Sequence, residues 1–152
     1  MLNLVSLTSE RNPIDDYVEV RSSDLAGMGV FAKQFIPKGT KWWHATINEF
    51  ITYNKEQWNA IKSSYQTETV KDYVKCVEMY SYYSIRLDSL VFSLDNSRHV
   101  NHSKNPNSGG TPETPFACYT VRDILPGEEI TEDYDGYRCP WATLYEDVKP
   151  SN

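Results

Sequence analysis

Short alternating segments surround one stretch with a helical period. Tyr17-Val18-Glu19-Val20 alternates polar and apolar positions and predicts a strand. Gly27-Met28-Gly29 predicts a tight turn, and Val30-Phe31-Ala32 a second short strand. Pro37 to Gly39 marks another turn. The aromatic run Lys41 to Ile47 is expected to be extended. Adjacent Trp42 and Trp43 should then face opposite sides, one in the core and one towards a groove. Asn54 suits a helix N-cap, with Gln57 in a capping-box position and Trp58, Ile61 and Tyr65 on one face. Val70, Tyr73, Val74 and Val77 repeat the helical spacing. Strand-like composition returns at Tyr80 to Ile85, Leu90 to Leu94, Phe116 to Val121 and Glu129 to Thr131. Ser103 to Pro115 reads as an exposed loop, and Pro126-Gly127 as a turn. Pro140 is placed to open a terminal helix whose apolar face is Trp141, Leu144, Tyr145 and Val148. The pattern implies one β-dominated domain without parallel βαβ units.

Composition narrows the class. A chain of 152 residues, 39% hydrophobic, can bury a core. No apolar run reaches the roughly 20 residues of a membrane span, and the N-terminal Met1 to Val5 stretch has no secretory pattern. With 15 basic and 21 acidic residues the net charge is −6, which disfavours duplex nucleic acid as the partner and suits a lysine-rich protein. Cys76, Cys118 and Cys139 have no paired spacing. They read as reduced thiols of an intracellular protein, cytoplasmic or nuclear, with export as an effector left open.

Three blocks carry candidate chemistry. Gly27-x-Gly29 is a turn between strands that also lets backbone approach a ligand; it lacks the third glycine and helix of a dinucleotide fingerprint. Arg98 to Asn107 is either a polar turn or a metal or phosphate site, and no cysteine or carboxylate stands at metal-ligand spacing. Arg122 to Tyr134 reads as an acidic hairpin that ends in a phenol beside Asp133.

Together, in this order, the blocks resemble the SET-domain protein lysine methyltransferases. Arg98, Asn101, His102, Ser103, Pro106 and Asn107 match the family's Arg-x-x-Asn-His-Ser-x-x-Pro-Asn, and Gly127 to Tyr134 match its Gly-Glu-Glu-Ile-Thr…Asp-Tyr. The resemblance implies a mainly β (α+β) fold: a β-clip of small sheets with a helical insert at about 54–78, a C-terminal pseudoknot and a short terminal helix. It implies one domain over 1–152, with a core of about 17–137 and a tail of 137–152. S-adenosylmethionine would bind on one side and a substrate lysine would enter from the other through a narrow channel. Tyr134 would be the catalytic tyrosine. Gly27, Met28, Gly29, Asn101 and His102 would hold the cofactor, with Tyr137 and Trp141 covering it. Tyr82, Tyr119 and Glu132 would line the channel, from a wider pool that includes Tyr80 and Tyr83. Arg98 would buttress the Asn-His turn.

The chain also departs from the family. Trp43-His44-Ala45-Thr46-Ile47 stands near where Glu-Tyr-x-Gly-Glu is usual, Lys104 replaces a common cysteine, and Glu132 occupies a frequent Phe or Tyr position. The cysteine-rich zinc segments are missing, so no metal is expected. The pattern is closer to small single-domain members of microbial or viral type. The implied function is methyl transfer to a lysine amine of a protein, a histone or another basic one, with no direct nucleic-acid or membrane partner. The alternatives are a catalytically degenerate SET-fold interaction module and a β-clip that binds a sugar or nucleotide.

Overall fold

The computed structural model describes residues 10–64, 66–111 and 114–144. A single turn, α1 (Ile14–Tyr17), leads into β1 (Val18–Ser22), which pairs antiparallel with β2 (Met28–Ala32). Ser23 closes the hairpin: its N–H donates to Gly27 O at 2.8 Å and its hydroxyl accepts from Leu25 N at 2.9 Å. Next come β3 (Lys41–His44), β4 (Phe50–Asn54), helices α2 (Lys55–Ser63) and α3 (Glu68–Tyr80), then β5 (Ser81–Ser84) and β6 (Ser89–Ser93). A 3₁₀ turn, Asn96–His99, precedes β7 (Asn101–His102). The strands β8 (Ser108–Thr111), β9 (Thr114–Thr120) and β10 (Glu129–Glu132) follow, and a 3₁₀ turn covers Tyr134–Tyr137.

The strands form three small sheets, β1-β2-β10-β7, β3-β9-β8 and β4-β6-β5. This is the mainly β arrangement the sequence implies. In the first sheet, β10 lies between β2 and β7. Ile130 pairs antiparallel with Val30, while Thr131 and Glu132 pair in parallel with Asn101 and His102. Residues far apart in the chain thereby meet along one strand.

Two apolar clusters hold these layers. Val30, Ile36, Trp42, Ile124 and Ile130 are fully buried in the first, with Trp43 and Val100 beside them. Trp58, Val74, Val77, Leu90 and Leu144 form the second, under the helical insert. The insert follows its sequence signals. Asn54 and Gln57 exchange a reciprocal capping box at 2.8 and 2.9 Å, and Thr67 caps α3 by accepting from Val70 N.

Four local readings change. Trp42 and Trp43 are both buried, because a register shift in β3 between Lys41 and Trp43 breaks the strict alternation. Phe50–Asn54 is a strand paired with β6. The expected exposed loop at 103–115 contains strand β8 and begins β9, and Asn107 and Ser108 are buried. The Asn107 amide donates to Glu129 O at 2.7 Å and accepts from Thr131 N at 2.9 Å, so a polar side chain supplies the pairing that draws the segment inward. Residues 140–144 run without helical turns, yet Trp141 and Leu144 pack on the second cluster. Tyr65, Tyr145 and Val148 lie outside the described residues. No helix among the described residues is long and apolar enough to cross a membrane.

Candidate active site

A narrow cavity of about 80 Å³ opens where the three sheets meet. Its wall is aromatic: Trp42 and Trp43 from β3, Tyr80 from the end of α3, Tyr82 from β5, and Tyr134 and Tyr137 from the last 3₁₀ turn. Glu132 from β10 and Cys118 from β9 complete it, with Val100 and Arg98 at one side.

Glu132 is held in place by neutral donors. Ser108 Oγ donates to its Oε1 at 3.2 Å, and the same hydroxyl accepts from Trp42 Nε1 at 2.7 Å. The Tyr137 hydroxyl and Cys118 thiol also donate to this carboxylate. Trp43 Nε1 donates to Asp95 Oδ2 at 2.9 Å, which fixes the second indole. Tyr82 and Tyr137 stack edge-on at 5.7 Å. The Tyr82 hydroxyl is buried and has no hydrogen-bond partner.

Burial raises the phenols of Tyr82, Tyr134 and Tyr137 well above the ordinary tyrosine range, and Glu132 adds to the shift in each. The Cys118 thiol is raised for the same two reasons. All four groups are therefore neutral near pH 7. The Tyr134 hydroxyl donates to Val100 O, so its oxygen keeps its lone pairs for an approaching donor.

A second group of residues adjoins the cavity through Tyr134. The Asn101 side-chain nitrogen lies 3.1 Å from Ala26 O, 3.0 Å from Met28 O and 2.7 Å from Glu129 Oε1. Ser23 Oγ also reaches Glu129, at 2.8 Å. Gly29 permits this approach, since a Cβ there would stand 2.2 Å from Glu129 Oε1. His102 Nδ1 accepts from Tyr134 N at 3.0 Å, which places the proton of a neutral ring on Nε2. The His102 ring lies 5.1 Å from that of Tyr134. Arg98 Nη1 donates to Leu94 O and Asp95 O at 2.8 and 2.9 Å and props the turn before Asn101.

The structure thus gathers Tyr134, Tyr137, Tyr82 and Glu132 in one cavity and sets Gly27, Met28, Gly29, Asn101 and His102 beside it. Tyr119 and Trp141 are elsewhere. On β9 Cys118 turns inward, and Tyr119 pairs with Lys41 and Gly109 away from the cavity wall. Trp141 packs edge-on against Tyr83 at 6.0 Å and donates to Asp88 Oδ1 at 3.3 Å, because the chain after Tyr137 turns towards the second apolar cluster. Ser108, Cys118 and Glu129 were not singled out from the sequence. Among the described residues no group of three His, Cys, Asp or Glu side chains is placed to hold a metal ion.

The SET domain family matches residues 27–135, which span the Gly27–Gly29, Arg98–Asn107 and Arg122–Tyr134 blocks. The chain belongs to the SET-domain family. The fold is shared with the Neurospora SET domain protein DIM-5, a histone lysine methyltransferase, at 16% identity and a TM-score of 0.52, covering 80% of this chain and 54% of that one. It is shared with apo ctPRC2 in an autoinhibited state at 19% identity and a TM-score of 0.56, covering 80% and 16%. The Plasmodium falciparum protein PFL0690c aligns at 18% identity and a TM-score of 0.50, covering 78% and 92%. A search of curated proteins gives no match.

Proposed function

We propose that this protein is an S-adenosylmethionine-dependent protein-lysine N-methyltransferase. The observation that carries the reading is the narrow aromatic cavity with one carboxylate in its wall, joined through Tyr134 to the Asn101-His102 turn. Lysine has an unbranched apolar stem and a cationic head. Aromatic faces and a carboxylate suit that combination, and few other side chains reach into so narrow a slot. The net charge of −6 suits a basic protein such as a histone. Free thiols at Cys76, Cys118 and Cys139 suit a reducing compartment, so we place the protein in cytoplasm or nucleus.

The residues beside the cavity fit the cofactor. Space is open where Gly27 lacks a Cβ, so the backbone of that turn can be approached closely. His102 offers a partly exposed ring, and Glu129, Glu132 and Asp133 suit a positively charged sulfonium. Gly27, Met28 and His102 would hold the cofactor directly, while Asn101 and Glu129 hold the turn. When bound, the cofactor supplies a methyl group on a positively charged sulfur.

The chain's own task is to present a neutral amine in line. Removing a proton from a lysine of pKa roughly 10.4 at pH 7 costs about 4.6 kcal/mol. The aromatic walls reduce that cost by disfavouring a desolvated ammonium. The Tyr134 oxygen accepts an N–H and aims the nitrogen lone pair, and alignment of this kind contributes several kcal/mol. Tyr134 remains a neutral dipole throughout.

Methyl transfer from labelled cofactor to a histone pool tests the reading. Label should appear on lysine, and Tyr134→Phe should reduce transfer at least tenfold, about 1.4 kcal/mol, while S-adenosylhomocysteine still binds. Full activity in the variant removes Tyr134 from the mechanism. Binding of S-adenosylhomocysteine without transfer to any lysine-rich protein leaves a SET-fold interaction module.

A further inference from the structure

We propose that Asn12 is a positioning residue for the methyl transfer: through the Asp95 carboxylate it sets the angle of the Trp43 indole in the cavity wall. The inference rests on the methyltransferase reading above. It adds a side chain that precedes the SET match and does not itself line the cavity.

Asn12 is 7% exposed, and both ends of its carboxamide are engaged. Its Oδ1 accepts from Ile14 N at 3.2 Å and from His44 N at 3.4 Å, which pins it between α1 and β3. His44 Nε2 lies 3.1 Å from Arg11 O and holds the backbone just before it. Asn12 Nδ2 donates to Asp95 Oδ2 at 3.2 Å, across 83 positions of chain. Trp43 Nε1 donates to that same oxygen at 2.9 Å. The other oxygen of Asp95, Oδ1, caps the 3₁₀ turn Asn96–His99 by accepting from Ser97 N at 2.7 Å.

Two donors from distant parts of the chain thus share one oxygen. A hydrogen bond to an ionised acceptor is among the stronger kinds, so Asn12 restrains the carboxylate from turning about its Cβ–Cγ bond. Without that donor, Asp95 keeps its cap on Ser97 but can swing Oδ2, and the indole follows its acceptor. Trp43 is 5% exposed and lies in the cavity wall, so a tilt of its ring changes the width of the cavity. The cofactor side is secured separately, because Asn101 is tied to Ala26, Met28 and Glu129. Asn12 therefore governs how well the substrate side chain is seated, and leaves cofactor binding alone.

The full chain is assayed for transfer of label from S-adenosylmethionine to a histone pool, and the Trp43 indole N–H resonance is followed in the same samples. Asn12→Ala should shift that resonance and raise KM for the histone about fivefold, with kcat and S-adenosylhomocysteine affinity within about twofold. Trp43→Phe should raise KM at least as much. Adding Asn12→Ala to it should raise KM by less than about 1.5-fold further, since both act through one contact. A second variant separates positioning from stability. Asn12→Asp combined with Asp95→Asn restores the bond between positions 12 and 95 with donor and acceptor exchanged, but takes the acceptor from the indole. It should recover the stability lost in Asn12→Ala and keep the raised KM. A KM that recovers with stability, an unmoved indole in Asn12→Ala, or independent effects of Asn12→Ala and Trp43→Phe overturns the proposal. If the unaltered chain transfers no label while the indole still responds to Asn12→Ala, the transferase reading falls and the link from Asn12 to Trp43 stands.

Discussion

The Asn101 amide nitrogen stands 2.7 Å from a carboxylate oxygen of Glu129, and through it β7, β10 and the Gly27–Gly29 turn are tied at one point. The bond works because one partner is a neutral donor and the other an acceptor. Asn101→Asp would set a second carboxylate against that of Glu129, in a site that is 1% exposed at residue 101. Denaturant unfolding near pH 7 should show a loss of roughly 3 kcal/mol. The deficit should narrow in mildly acidic buffer, where the pair shares a proton. A deficit that does not change with pH would mean that repulsion is not its cause.

Three glycine-to-alanine changes should rank by geometry. At Gly29 the new Cβ meets a carboxylate pinned by Ser23 and Asn101, so about 2–3 kcal/mol should be lost, a fall in Tm of roughly 5–10 °C. At Gly27 there is space but φ is +47°, and the loss should be about 1 kcal/mol. At Gly109 nothing lies within 4 Å, and the change should fall within about 0.5 kcal/mol. Thermal melts of the three variants check the order.

High pH should unfold the protein through its cavity. Tyr82, Tyr134 and Tyr137 have folded-state pKa values raised above the unfolded value of about 10. Their contribution to stability is complete below that pH and is lost as pH rises beyond it, because the unfolded chain releases the protons first. Phenolate absorbance should show exposed tyrosines titrating early. Tyr83, hydrogen-bonded to Asp88, is pushed up to about 12. A final group should ionise together with the loss of circular dichroism, and Tyr82→Phe should move that step to higher pH. Smooth independent titration of all phenols in a folded chain would contradict this.

Trp141 belongs to the second core and not to the cavity wall. Its contacts are Tyr83, Asp88 and the cluster around Trp58. Trp141→Ala should cost about 2–3 kcal/mol in stability and leave S-adenosylhomocysteine affinity within roughly threefold. A selective loss of that affinity in a stable variant would return Trp141 to the cofactor site.

What the sequence conveyed depended on how locally each feature is determined. The α2 and α3 signals are local: a capping pair at Asn54 and Gln57, then apolar residues every three or four positions, and both helices form there. The motif residues Asn101, His102 and Tyr134 were legible because their order along the chain is distinctive, and β7–β10 pairing explains why they converge. Asn107 was unreadable by hydropathy, since a polar residue buries only when a distant strand offers matching N–H and C=O groups. Glu129 looked like one half of an acidic surface doublet. Its burial against Asn101 depends on a parallel pairing that no local pattern encodes. The paired burial of Trp42 and Trp43 depends on a bulge, and the apolar period at Trp141 does not say that it packs on the second cluster.

The position of β10 has a consequence for how the protein is made. Val30 waits for Ile130 across a hundred residues of chain, and β2 leaves the ribosome long before the strand that covers its second edge. Until then that edge can pair with strands of other nascent chains. Contacts so distant in sequence close slowly. The nascent protein should therefore carry a long-lived aggregation hazard, centred on Met28–Ala32, that ends only when the last strand slides into place.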